Sequence, residues 1–206
     1  MQIGAAARRV AKSLVHQQRP AAAVEFATAA ARRLAYDLTG CGSLGLSTLG
    51  MLYLSAALAE SSQERTPGRI AAAGGYGGVA ARQGADLDED YTQFGPTNVT
   101  LHRMDVLLRF EDGWSALEAA EDARPEALAG MTRERQAGHR VAIARASLLT
   151  RRHGAAAAAL LQADELAPEE VRGRPETVVL VKDVVRVAQG PQPALRTLAE
   201  HCGLRP

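Results

Sequence analysis

The residues best placed to do chemistry fall on one short stretch. Asn98, His102, Asp105 and Arg109 follow one another at steps of four, three and four, the spacing that puts side chains on a single face of an α-helix. An amide, an imidazole, a carboxylate and a guanidinium along one face can hold the backbone or the terminal carboxylate of a peptide. Tyr91 and Phe94, just upstream, can add apolar contact, and Arg145, on the corresponding helix of the next hairpin, a further cation. These groups suit a ligand or partner groove. Against it stands a solvated helix face, on which an exposed Asp105–Arg109 pair adds only about a few tenths of a kcal/mol.

Other arrangements fail on spacing. Asp86, Asp88 and Asp90 alternate like the start of a calcium loop, but the positions that need glycine and a bidentate glutamate hold Tyr91 and Thr97. The segment therefore reads as a solvated acidic connector. The glycines around Tyr76, from Gly74 to Gly78, have neither the preceding strand nor the lysine of a phosphate loop. The five histidines, His16, His102, His139, His153 and His201, show no metal-ligand spacing, and no serine elbow or Cys/His pair is present. No catalytic residue, metal or cofactor is expected, and the chain does not read as an enzyme. Cys41 and Cys202 lie far apart and read as two reduced, packed thiols.

Composition bounds the elements that must carry such a site. Hydrophobic residues make up 47% of the 206 and aromatic residues only 4%, so alanine, the best helix former, dominates the apolar share. Net charge is +1, whereas domains that hold nucleic acid by its phosphates carry a marked basic excess. Direct nucleic-acid binding is not expected. The first residues lack an apolar core of signal-peptide length. Leu38 to Ala59 carries no charge and is long enough to span a bilayer. Its glycines, however, make the first third read as a loop and the rest, from about Leu44, as a buried helix. A cytoplasmic chain that does not enter a membrane is expected.

Helical periodicity recurs throughout, with no sustained alternation of period two. Helices are predicted at about 5–18, 21–37 with Val24, Ala27, Ala31 and Leu34 on one stripe, 44–61, 67–83 and 98–110 with Thr97 as cap. Others follow from Gly113 to before Pro125, and at about 133–152, 155–166, 175–189 and 193–202. Val178, Val181, Val185 and Ala188 form the stripe of the penultimate helix, and Trp114 reads as packing at a hairpin turn. The helix at 67–83 is interrupted by its glycines, each costing about 1 kcal/mol relative to alanine.

Repeats appear in this pattern. Ile143-Ala144, Ala156, Leu160, Ala163 and Pro168 have a spacing similar to the tetratricopeptide (TPR) consensus. Small residues sit where the two helices of a hairpin touch, and Leu160 fills the gap between them. Leu46, Leu49-Gly50 and Tyr53 look like the first helix of such a unit, and Ala116, Ala120 and Ala123 like a second helix. The expected fold is all-α, an α-α superhelix of TPR-like hairpins forming one domain over 1–206. It divides into an N-terminal hairpin at 1–40, repeats at 44–168 and capping helices at 175–203.

One resemblance is more specific. Asp90-Tyr91, then Phe94-Gly95-Pro96-Thr97-Asn98-Val99 and Leu101-His102-Arg103, resemble a segment of actinobacterial XRE-type helix-turn-helix regulators, as do Ala163 to Arg172 and Leu195 to Leu204. In those proteins the segment lies in a TPR-like effector region after the DNA-binding domain. The resemblance covers residues from about Leu46 onward, and nothing in 1–40 resembles the DNA reader. It implies a sensor or dimerisation module that recognises a peptide, a small ligand or a protein partner. Two other readings remain open: an adaptor that docks on a separate DNA-binding regulator, and an enzyme or biosynthetic accessory with an unrecognised site.

Overall fold

The computed structural model describes residues 2–62, 75–89 and 92–204. The described residues form an all-α protein of twelve helices, with one isolated antiparallel bridge between Leu87 and Phe94. Packing divides the chain into two compact units, Met1–Phe110 and Glu111–Pro206. The single array expected over 1–206 places no boundary there.

The first unit contains α1 (Gln2–His16), α2 (Pro20–Thr39), α3 (Gly42–Glu60), α4 (Gly75–Gln83) and α5 (Pro96–Arg109). α3 is its axis and packs against the other four. Its buried residues, from Gly45 through Leu49, Leu52, Leu54 and Ala59, lie on every side of the helix, the pattern of a helix enclosed by its neighbours. The loop expected in the first third of 38–59 shrinks to Gly40 and Cys41. Gly42 adopts φ +63°, a conformation glycine takes without steric cost, and α3 starts at once. It is therefore 19 residues long, among the described residues the one helix long and apolar enough to cross a membrane, and more than half of that stretch is buried within the fold.

Small residues let these helices approach. Ala23, Ala27 and Ala31 are fully buried on α2, so the stripe there begins one residue before the expected Val24. A Cβ at Gly45 would stand 1.8 Å from the carbonyl oxygen of Leu38, a contact that only glycine permits. α4 begins at Gly75, so part of the glycine run is helical. The rest of the helix expected from residue 67 lies outside the described residues.

Between α4 and α5 the chain folds into a clasp over α3. Phe94 is fully buried and its ring lies on the bare backbone of Gly50, where a Cβ would come within 2.0 Å of Cζ. Gln83 Nε2 donates to Phe94 O (2.7 Å) and to Ser47 Oγ (3.0 Å), and Leu87 N donates to Phe94 O (3.1 Å). The Asp86 carboxylate accepts from Thr97 N (3.2 Å) and Asn98 N (3.0 Å). These are orphan donors of the first turn of α5, so the cap comes from eleven residues upstream rather than from Thr97. Glu89 accepts from Ser43 Oγ at 2.8 Å. The connector expected to be solvated is structural at both carboxylates.

The second unit contains α6 (Gly113–Glu121), α7 (Pro125–Ala129), α8 (Arg133–Leu149), α9 (His153–Leu166), α10 (Pro168–Arg172), α11 (Pro175–Val187) and α12 (Pro193–His201). Ala144, Ala156, Leu160 and Ala163 are all fully buried, as the hairpin spacing predicts. On α11 the buried stripe is Thr177, Leu180, Val181 and Val184, rotated from the expected one, and Ala188 falls beyond the helix. Trp114 is 63% exposed and lies under Arg152, whose guanidinium carbon is 4.8 Å from the ring centroid. It packs with a surface cation rather than in a hairpin core.

Candidate functional site

The polar stripe of α5 is buried at its first residue. It runs along the border between the buried side of α5, marked by Leu101, Met104 and Leu108, and solvent. Its first turn is covered by the chain at 92–94. Asn98 is fully buried and its Nδ2 donates to Thr92 O (3.4 Å) and towards Met51 Sδ (3.7 Å). Phe94 is the plug already described. In the distal half both ring nitrogens of His102 are buried, with Nδ1 3.9 Å from the exposed Asp105 carboxylate, and Arg109 reaches Ser62 Oγ at 2.7 Å. Tyr91 lies outside the described residues. Arg145 is exposed on α8, in the other unit. The spacing placed four side chains on one face, but pairing with the preceding loop consumed the first.

The second unit carries a different site, which that spacing argument missed. Gln136, His139 and Arg140 occupy positions i, i+3 and i+4 of α8, and Gln162, Glu165 and Leu166 the same positions of α9. Each set lies on one helical face. The two faces, with Leu128 of α7, line a cavity of about 300 Å³ that is half open to solvent, the low end of the range for small-molecule pockets. Its frame is tied by hydrogen bonds. Thr132 caps α8 by accepting from Arg135 N (3.4 Å), and Arg133 Nη2 reaches Glu165 O (3.5 Å) across to α9. Gln136 Nε2 donates to Met131 O (2.9 Å) and Ala129 O (3.4 Å). These hold α7, opened by Pro125 and stopped at Gly130, against α8.

His139 is the unusual residue. It is 7% exposed, and its Nδ1 has no hydrogen-bond partner among the described residues. Buried polar atoms are almost always satisfied, and one left open costs about 1–3 kcal/mol. Burial, reinforced by the neighbouring Arg140 charge, holds its pKa down to about 4. The imidazole is therefore neutral at pH 7 and offers either a donor or an acceptor at Nδ1. On the rim, Arg140 and Glu165 are exposed, and neither side chain forms an ion pair among the described residues. The pocket thus presents both charges, a neutral imidazole, the Gln162 carboxamide and leucine at two corners.

No group of three or more His, Cys, Asp or Glu side chains suited to a metal ion occurs among the described residues. Cys41 and Cys202 are free thiols, Cys41 exposed where a packed residue was expected. Burial raises the pKa of Cys202, which suppresses the thiolate. The chain matches no protein-family model, no curated protein and no solved structure.

Proposed function

We propose that the chain is a helical binding module that takes a small polar ligand in the α7–α8–α9 cavity. The observation that carries this reading is the lining of that pocket, where a buried, neutral His139 stands beside Arg140 and Glu165, neither of them ion-paired among the described residues. The groups that line the site suit recognition of a ligand.

This reading agrees with the resemblance of the sequence to the TPR-like effector regions of XRE-type regulators, and we place the chain with such sensor modules in the cytoplasm. The ligand site moves from the α5 stripe to the second unit. Occupancy can be tested by native mass spectrometry after incubation with a small-molecule cell extract. Wild type is expected to gain a small mass that denaturation releases. Gln162→Trp, a change at an exposed position on the cavity wall, should lose it. Equal retention by both proteins would overturn the assignment.

A second reading, a protein partner or a second copy of the chain, has its own support. Ile3, Val10, Phe26 and Tyr36 stand exposed on α1 and α2, Tyr36 at 89%, and large apolar side chains in water favour association where they form one patch. Light scattering on the intact chain, with Tyr36→Ser as control, distinguishes a self-associating surface from a bare one.

A further inference from the structure

We propose that the ligand of the α7–α8–α9 cavity is a small zwitterion, a free amino acid or a close analogue. Its carboxylate would be taken by Arg140 and its ammonium by Glu165. The inference rests on the reading of this cavity as a ligand site and adds the class of ligand.

Two opposite charges on the same rim ordinarily close on one another. Here Arg140, on α8, and Glu165, on α9, both line the cavity, and neither is ion-paired among the described residues. A guanidinium recognises a carboxylate through parallel N–H donors, and a glutamate accepts from an ammonium. A ligand with one charge would satisfy one rim residue and leave the other facing it with the wrong sign or no partner. A zwitterion satisfies both and brings no net charge into a site whose lining is itself balanced.

The inner wall fits the remainder of such a molecule. Gln162 can offer a donor and an acceptor to a polar side chain, and the neutral His139 adds no charge to the wall. Gln136 spends its amide N–H groups on Ala129 and Met131, leaving its carbonyl as the group that can turn inward. Leu128 and Leu166 supply apolar contact. At about 300 Å³ the space is of the size a small molecule fills. A peptide terminus would bring only one of the two charges.

The test is isothermal titration of the intact chain with individual free L-amino acids, each beside its N-acetyl and its carboxamide derivative. At least one amino acid is expected to bind, and both of its derivatives to bind about tenfold or more weakly, as when a charge-assisted hydrogen bond is lost. Arg140→Gln should weaken the parent but leave the affinity of the carboxamide unchanged. Glu165→Gln should do the same for the N-acetyl derivative. Derivatives binding as well as the parent, or both variants binding it like wild type, would overturn the zwitterion. So would silence of every amino acid from a protein that still takes up a mass from extract, provided that Gln162→Trp abolishes the uptake, and there the cavity reading survives. If Gln162→Trp leaves that uptake unchanged, the cavity reading itself fails.

Discussion

Stability should depend on pH through His139 in a way the structure makes quantitative. An imidazole in the unfolded chain titrates near 6.5, whereas burial beside Arg140 holds His139 near 4 in the fold. The unfolded chain therefore binds the proton first. The stability contributed by keeping His139 neutral is fully present above about pH 6.5 and is lost as pH falls from there towards 4. With these values the loss between pH 7 and pH 5 is about 2 kcal/mol, and it approaches about 3 kcal/mol by pH 4. Acids common to the two proteins add their own pH dependence, so the comparison must be differential. Urea unfolding of wild type and His139→Gln at matched pH cancels the carboxylates common to both. Wild type should lose about 2 kcal/mol more than the variant between pH 7 and pH 5. Parallel pH profiles would refute the reasoning, since a histidine with free access to water would titrate alike in both states.

Other outcomes follow from packing and capping. Gly50→Ala drives a methyl into the Phe94 ring; an overpacking cost of about 1–3 kcal/mol outweighs the gain of about 1 kcal/mol in helix propensity, so the urea midpoint should fall. Gly138→Ala, on α8 with nothing within 4 Å of its Cβ, should raise stability by about 0.5–1 kcal/mol in the same assay. Asp86→Ala removes both side-chain acceptors from the start of α5 and should cost about 1–2 kcal/mol. It should also speed amide exchange at Thr97 and Asn98.

The all-α class and the order of most elements could be read from residue patterns, because alanine spacing and helix-opening prolines act locally. Pro20, Pro96, Pro125, Pro168, Pro175 and Pro193 all open helices, where the missing N–H costs nothing. Ala144, Ala156, Leu160 and Ala163 pack as their spacing requires. Long-range pairing was not legible. Nothing local announces that Asp86 will cap a helix that begins ten residues later, or that Phe94 will lie on Gly50. Those contacts turned the most distinctive segment of the sequence from an expected ligand surface into a structural clasp. Two consequences follow for Asn98: it sits on the predicted face, and it is unavailable there.

The His139 cavity failed to register for a related reason. A lone histidine among alanines has no metal spacing, and its significance depends on which residues of α9 face it. The paired i, i+3, i+4 sets on α8 and α9 were visible in the sequence. They gain meaning only once the hairpin register aligns them across one space. Trp114, read as packing at a hairpin turn, stands exposed under Arg152.

The most direct test of the account is the imidazole spectrum of the nitrogen-15-labelled chain, recorded as a small-molecule cell extract is added. Binding in the cavity predicts that the Nδ1 resonance of His139 shifts, that exposed His16 and His201 stay fixed, and that Gln162→Trp abolishes the change. A His139 resonance that stays fixed, or that moves equally in Gln162→Trp, would contradict the claim that this cavity is where the protein binds its ligand.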